Sequence, residues 1–146
     1  MEISVKTFDE LSNTELYQLL RLRSEIFVVE QDCVYLDLDN KDQKALHVVG
    51  TKNGQVVAYT RIFQPGDYFK NASIGRVVVA QDQRKFGYGK LIMEASISAI
   101  EEKFPNTSIE ISAQSYLLKF YSDLGFTAFG EEYLEDGIPH TRMLKK

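Results

Sequence analysis

The sequence predicts a mixed α/β fold, with helices packed on a central sheet in one domain over residues 1–146. Three observations support this prediction. Strand-like and helix-like apolar patterns follow one another in the order strand, helix, three strands, helix, strand, helix, two strands. Asn53-Gly54 separates two β-rich runs, as in a two-residue hairpin. A length of 146 residues with 44% hydrophobic residues suffices for the core of one domain.

The first third of the chain predicts a strand, a helix and an irregular connection. Met1–Phe8 alternates as a strand does, and Thr14–Glu30 carries apolar residues at helical spacing, with Asn13 placed to cap the helix. The next segment, EQDCVYLDLDNKDQ, is polar and acidic, so we expect it to be irregular or weakly helical.

The middle third predicts a hairpin and a central strand. ALHVVGTK and QVVAYTRIF flank Asn53-Gly54, whose two residues tolerate positive φ. ASIGRVVVA ends in an apolar run without alternation, which is typical of a strand covered on both faces.

The last third predicts two helices and three strands. An apolar helical stripe begins after Gly89 and ends before Pro105. TSIEISA follows as a short strand, and Ser115–Leu124 is predicted to be helical, with Gly125 as a left-handed cap. Two closing strands, near GFTAFGEEYL and HTRMLKK, surround the turn-forming EDGIP.

Composition excludes several classes of partner. A net charge of −4 gives no general attraction to nucleic acid or to an anionic membrane. No apolar run approaches the roughly 20 residues that span a bilayer, and the N-terminus lacks a signal-peptide pattern. The one cysteine, Cys33, fits a reducing compartment, so we expect a cytoplasmic protein. We expect no metal site.

The stretch RKFGYGK, Arg84–Lys90, is a local exception to this acidic composition. Gly87 and Gly89 leave a bare backbone between a strand and a helix, where unpaired N–H groups and the helix dipole favour phosphate. A Walker A loop would need glycine at Arg84, and a dinucleotide fingerprint would need a small residue at Ile92, so both patterns fail. An ordinary glycine-rich connection stays open as an alternative.

Written as R-x-x-G-x-G, the stretch resembles the acetyl-CoA-binding motif of the GNAT superfamily of N-acetyltransferases. AQSYLLKFYSDLGF resembles the second cofactor segment of that superfamily, and LRSEIFVVEQDCVY, GRVVV and EDGIPH resemble its ElaA-like subgroup. The resemblance spans nearly the whole chain. It implies a mostly antiparallel sheet with splayed central strands and helices on both faces, and it is compatible with a homodimer.

The resemblance also implies which residues bind acetyl-CoA. The backbone of Val77 and Val79 would bind pantetheine, and an N–H near Val78 or Val79 would polarise the thioester carbonyl. The backbone of Arg84, Lys85, Phe86, Gly87, Tyr88, Gly89 and Lys90 would hold the pyrophosphate. Tyr121 would reach the cofactor sulfur as the acid, although a tyrosine on an apolar helical stripe is also a common core residue.

The base that deprotonates the amine is predicted less sharply. Glu30 ranks first, His140 second and Glu110 third, with His47 the remaining imidazole, and each has an ordinary structural alternative. The acidic residues of segment 30–42 are expected either to hold a cationic amine or to form a solvated loop.

Two further residues of this region are given other roles. We expect Cys33 to be structural, because no motif supplies the base that an acetyl-cysteine mechanism needs. Arg76 could pair with the acidic segment or bind substrate.

Three function classes follow. The preferred one is acetyl-CoA-dependent N-acetyl transfer to a primary amine of a small molecule or peptide. A non-catalytic acyl-CoA-binding or sensor domain is the alternative, and a nucleotide-binding module of another fold is disfavoured by the failed phosphate motifs. The acceptor amine is not specified, because substrate walls in this superfamily come from variable loops.

Overall fold

Seven strands form one continuous sheet in the computed structural model, which describes residues 1–146. The strand order is β1-β2-β3-β4-β5-β7-β6. The elements are β1 (Glu2–Thr7), α1 (Asn13–Arg23), β2 (Leu46–Lys52), β3 (Gln55–Phe63), β4 (Ala72–Val79), α2 (Tyr88–Lys103), β5 (Ile109–Gln114), α3 (Leu118–Ser122), β6 (Thr127–Glu135) and β7 (Ile138–Lys145). This confirms the mixed α/β fold that the sequence predicts.

The sheet is antiparallel except where β4 meets β5. These two strands run parallel and pair only at Ala72 with Ile109 and at Ser73 with Glu110. Beyond Ser73 they diverge, so the edge of β4 that faces β5 has no strand partner. The splayed central strands that the resemblance implies are therefore present.

A β-bulge lies in β4 next to this splay. Tyr59 pairs with Val78 and Arg61 with Gly75, so two residues of β4 oppose one residue of β3. Arg76 lies in the bulge with φ of 50°, a left-handed conformation that non-glycine residues rarely adopt. The bulge bends β4 near the point where β4 and β5 separate.

Helices cover both faces of the sheet. On one face, Ile92, Met93 and Ile100 of α2 pack in a core that also includes Tyr121 of α3. On the other face, Leu19 and Leu22 of α1 and Ile26 pack against Val49, Tyr59 and Val78. None of the helices has both the length and the apolar character needed to cross a bilayer.

The first helix differs from its prediction at both ends. Asn13 is not the cap: Ser12 is, because its hydroxyl accepts from the backbone N–H of Glu15 at 3.1 Å, and the Glu15 carboxylate accepts from the backbone N–H of Ser12 at 2.9 Å. The α-helical part ends at Arg23, and Ser24–Glu30 continues as a π-helix. The predicted extent, Thr14–Glu30, is helical throughout.

The remaining elements largely follow the prediction. Segment 31–41 is irregular, and a 3₁₀ turn at Asp42–Lys44 follows it. The predicted helix from Ser115 to Leu124 consists of a 3₁₀ turn followed by the short α3, and Gly125 ends it with φ of +98°. Asp136-Gly137 form the tight turn between β6 and β7.

Candidate active site

A cleft of about 590 Å³ opens where β4 and β5 diverge. Its walls come from β3 and β4 on one side and from β5, α3 and β7 on the other. The π-helical segment and the irregular connection after it cover one end, and the turn before α2 lies at its rim. The cleft therefore collects residues from most of the chain around one exposed strand edge.

The strand edge that faces the cleft carries backbone groups that no neighbouring strand pairs with. Ala80 donates its N–H to Val57 of β3 at 2.8 Å. Because the direction of N–H and C=O alternates along a strand, the N–H and C=O of Val79 point away from β3, towards the gap beside β5. The Val79 carbonyl there accepts a hydrogen bond from Nε of Arg84 at 3.3 Å. Val78 pairs with Tyr59 and faces β3.

The glycine turn that follows β4 has the geometry of a helix start. A 3₁₀ segment, Gln81–Phe86, leads to Gly87, which has φ of +72° and precedes the first residue of α2. A Cβ at Gly87 would meet no atom within 4 Å, so the backbone conformation, not crowding, favours glycine there. The first N–H groups of α2 have no intrahelical acceptor and lie at the positive end of its dipole.

Most of the predicted cofactor residues line this cleft. They are Val77, Val78, Val79, Arg84, Gly87, Gly89, Lys90 and Tyr121. The side chains of three others lie elsewhere. Tyr88, the first residue of α2, is buried in the core. The ring of Phe86 lies with its centre 4.0 Å from the ammonium of Lys52, and the ammonium of Lys85 also lies over this ring. A role for these three through their backbone amides stays a prediction.

Glu30 lies in the cleft, and its carboxylate is engaged by a cation. Its Oε2 is 2.8 Å from Nη2 of Arg84, the arginine of the predicted phosphate-binding turn. Both side chains are partly exposed to solvent. The residue that ranked first as the base is thus paired with a cation of the predicted phosphate-binding turn.

Tyr121 reaches the cleft from α3. Its ring contacts Phe120 and Phe126, and only 6% of the residue is exposed. Burial foremost, with Tyr116 nearby, raises the pKa of the Tyr121 phenol above its usual value. The phenol therefore stays protonated at neutral pH, the form that an acid needs.

His140 is the imidazole that lines the cleft. Its Nδ1 lies 2.7 Å from the carbonyl oxygen of Ile138, and a carbonyl only accepts, so Nδ1 carries the proton in the neutral ring. The lone pair is then on Nε2, which lies 3.4 Å from Oε2 of Glu135. This tautomer gives the cleft a nitrogen that can take a proton.

The structure does not bring the other two candidate bases into the cleft. Glu110 is buried and accepts two hydrogen bonds from Arg142, at 2.7 and 3.1 Å. His47 is fully buried between the Tyr59 hydroxyl, 2.6 Å from Nδ1, and the Asp42 carbonyl, 2.9 Å from Nε2. Burial lowers the pKa of His47 below its usual value.

Three carboxylates of the acidic segment are neither solvated nor free to hold an amine, so both sequence expectations are wrong for them. Asp37, Asp39 and Asp42 bind three arginines from other elements, at N–O distances of 2.6 to 3.0 Å: Arg23, Arg61 and Arg76. Burial opposes ionisation, but hydrogen bonding and charge from Arg61 lower the pKa of Asp39 to about 2. The network fixes the connection 31–44 over β3 and β4, and Arg76 is one of its members.

Several residues of the cleft were given no role by the sequence. They are Tyr35, Tyr68, Phe69, Ser73, Ser112, Glu135 and Asp136. Cys33 also lines the cleft, and its thiol donates to the carbonyl oxygen of Asp136 at 3.2 Å, which links the irregular connection to the β6–β7 turn. Only the spatial arrangement brings these residues together, because they come from five separate segments.

The fold and cleft are those of an acyltransferase, and comparison with known proteins shows the family. The model of the acetyltransferase (GNAT) domain matches residues 12–146, so the chain belongs to the GNAT acetyltransferase family. Members of this family bind acyl-CoA donors.

Within that family the chain is similar to ElaA of Escherichia coli, at 39% identity over 139 residues, covering 94% of this chain and 91% of ElaA. A UPF0039 protein of Synechocystis is 40% identical over 147 residues, covering 99% and 96%. These relatives confirm the ElaA-like resemblance.

Solved structures agree with this assignment. An acyl-CoA N-acyltransferase from Pseudomonas aeruginosa has a TM-score of 0.95 at 38% identity, and E. coli ElaA has a TM-score of 0.93 at 36% identity; each comparison covers 100% of both chains. An aminoglycoside 6'-N-acetyltransferase complexed with coenzyme A has a TM-score of 0.74 at 16% identity, covering 99% of this chain and 96% of that one, and shows the shared fold alone.

Proposed function

We propose that this protein transfers an acetyl group from acetyl-CoA directly to a primary amine of a small molecule or peptide. The observation that carries the proposal is the continuous path from the free edge of β4 to the glycine turn that begins α2. A thioester with an amide-containing arm and a diphosphate matches that path in both chemistry and order.

The donor is bound mainly by backbone. The gap-facing groups of Val79 pair with the amides of pantetheine as an added strand would, and Val77, which lies in the bulge, is proposed to add a second pairing. The N–H groups of Gly87 to Lys90 at the start of α2 bind the pyrophosphate, and the cations Arg84 and Lys90 add charge. The N–H groups of Arg84 to Phe86 lie within the 3₁₀ segment and would have to leave its bonds to join them. The orientation of β4 favours the Val79 N–H, and not that of Val78, as the donor that polarises the thioester carbonyl.

The reaction then requires two proton transfers of unequal size. The amine nitrogen attacks the thioester carbon, the C–N bond forms and the C–S bond breaks. An amine of pKa about 10.4 needs about 4.6 kcal/mol to be neutral at pH 7, whereas a thiolate of pKa about 8.5 needs about 2 kcal/mol of help to leave. The base is therefore the more important group.

We assign the base to His140 in preference to Glu30. Nε2 of His140 has an available lone pair in the cleft, while the Glu30 carboxylate is paired with Arg84. The proton passes from the amine to Nε2, which lies 3.4 Å from Oε2 of Glu135. Tyr121 gives its proton to the departing sulfur and regains one from solvent.

The proposal is tested by thiol release from acetyl-CoA with a panel of polyamines, aminoglycosides, amino acids, amino sugars and peptide N-termini. An amine that accelerates CoA release well above hydrolysis supports transfer. Acetyl-CoA binding without acceleration by any amine would favour the acyl-CoA sensor. His140→Gln is expected to lower kcat at least tenfold with unchanged acetyl-CoA affinity, and unchanged kcat would remove His140 from the mechanism.

A further inference from the structure

We infer that the acceptor is an amino carboxylic acid, whose carboxylate binds at a subsite formed by Arg61, Ser73 and Arg76. This inference rests on the proposed function and names its substrate class. Two features carry it: buried donors without partners on one wall of the cleft, and opposite charge on the other wall.

The donors lie on β3 and β4. Arg61 and Ser73 are 1% and 2% exposed, line the cleft, and have Nε and Oγ atoms without a hydrogen-bond partner. Arg61 pairs with Gly75 and Ser73 with Phe63, so the two side chains are diagonal neighbours on one face of the sheet. Buried donors are costly to leave unpaired, so two unpaired donors at neighbouring positions of the cleft wall indicate that a ligand supplies an acceptor atom there.

The charge of this wall favours an anion. Arg61 and Arg76 line the cleft, whereas their partners Asp37, Asp39 and Asp42 do not. The members of this ion-pair network that line the cleft are therefore its cations. A ligand in the cleft meets the positive side of the ion-pair network first.

The opposite wall has the opposite charge. Glu135, Asp136 and His140 line the cleft from β6, β7 and the turn that joins them. The carboxylates of Glu135 and Asp136 attract an ammonium group close to Nε2 of His140, the nitrogen that we assign as the base. A molecule with an amine at one end and a carboxylate at the other matches both walls at once, whereas a simple polyamine would place a cation against the arginines.

Aromatic rings surround the space between these walls. Tyr35, Phe63, Tyr68 and Phe69 all line it, and Phe63 and Tyr68 stack with their ring centres 5.1 Å apart. The amino acid is therefore expected to carry an apolar or aromatic side chain. Phenylalanine is the matched probe, because its amide and its decarboxylated form differ from it only at the carboxylate.

The first experiment compares kcat/KM for phenylalanine, phenylalaninamide and phenethylamine in the thiol-release assay. Once each kcat/KM is divided by the neutral fraction of its amine, phenylalanine is expected to exceed phenethylamine by at least tenfold, with the amide between them. A preference for phenethylamine or for spermidine would overturn the carboxylate subsite while leaving amine acetylation intact.

The second experiment measures binding without turnover. N-acetylphenylalanine is titrated by calorimetry into the protein saturated with CoA, and N-acetylphenethylamine serves as the comparison ligand. Ser73→Ala is expected to weaken binding of N-acetylphenylalanine about tenfold, as loss of one hydrogen bond to a charged group does. Ser96→Ala is the matched control, a buried serine outside the cleft that bonds Thr60.

The two experiments separate the two proposals. Ser73-dependent binding of N-acetylphenylalanine without any amine-driven CoA release would keep the subsite and remove the transferase function. Equal binding of the two acetylated ligands, or equal affinity in Ser73→Ala and wild type, would overturn the subsite whatever the turnover.

Discussion

Replacing Tyr121 by Phe isolates the step in which sulfur leaves. The substitution removes one hydroxyl and keeps the ring, which contacts Phe120 and Phe126 at ring-centre distances of 5.0 and 6.2 Å. We therefore expect only a small loss of stability, of about 1 kcal/mol or less. Acetyl-CoA affinity should also be unchanged, because we propose that the backbone of β4 and the glycine turn provides most of that binding.

The magnitude follows from the leaving group. Without an acid, a thiolate of pKa about 8.5 leaves in place of a thiol, which costs about 2 kcal/mol at pH 7, or about 30-fold in rate. The pKa of Tyr121 is raised by burial, so the wild-type phenol remains an acid through neutral pH. The variant should therefore lose one to two decades in kcat across that range.

The assay is single-turnover CoA release at saturating amine, with calorimetry for acetyl-CoA affinity. Tyr17→Phe is the control, since Tyr17 is exposed and lies outside the cleft. Turnover in Tyr121→Phe equal to that of the control would refute the acid role. A parallel loss of acetyl-CoA affinity would instead show that the hydroxyl acts in binding.

Three other substitutions test the donor side and the core. Gly87→Ala places a side chain at φ of +72°, so we expect a loss of about 1–2 kcal/mol in stability and weaker acetyl-CoA binding; Gly54→Ala, at +77° in the β2–β3 hairpin, should lose similar stability but no affinity. Glu30→Gln frees Arg84 for phosphate and should tighten acetyl-CoA binding about two- to fivefold by calorimetry, while a collapse of kcat would make Glu30 the base after all. The pKa of His47 is lowered by burial, so below pH about 6.5 the unfolded chain binds a proton that the folded chain does not, and stability falls on acidification by up to about 1.4 kcal/mol per pH unit. Urea melts between pH 7.5 and 5 should show a shallower fall for His47→Gln, and equal slopes would contradict the assignment.

The parts of the fold that depend on local patterns were predictable. Alternation, the Asn53-Gly54 turn and the unalternating end of β4 each report on residues close in sequence, and each prediction is confirmed. The cap of α1 shows the limit of such patterns. Asn13 and Ser12 are both good capping residues, and only the reciprocal bonds with Glu15 select Ser12.

The part of the cleft that we propose for the acceptor, around Ser73, Arg76 and His140, could not be predicted from local patterns. The pairing of Asp37, Asp39 and Asp42 with arginines joins residues far apart in the chain, and a run of carboxylates looks the same in sequence whether it is solvated or buried. His140 gains its free nitrogen from a bond to Ile138 that only the turn geometry provides. Buried donors such as Ser73 are visible only once the neighbouring strands are in place.

The division of the sheet has a consequence for how ligands act on the molecule. Strands β1 to β4 come from residues before 80 and strands β5 to β7 from residues after 108, and the two groups share only two residue pairs. A ligand that contacts both groups of strands binds only the folded protein, so its binding stabilises the fold by mass action. Ligands can therefore be found by a rise in melting temperature before any acceptor is known.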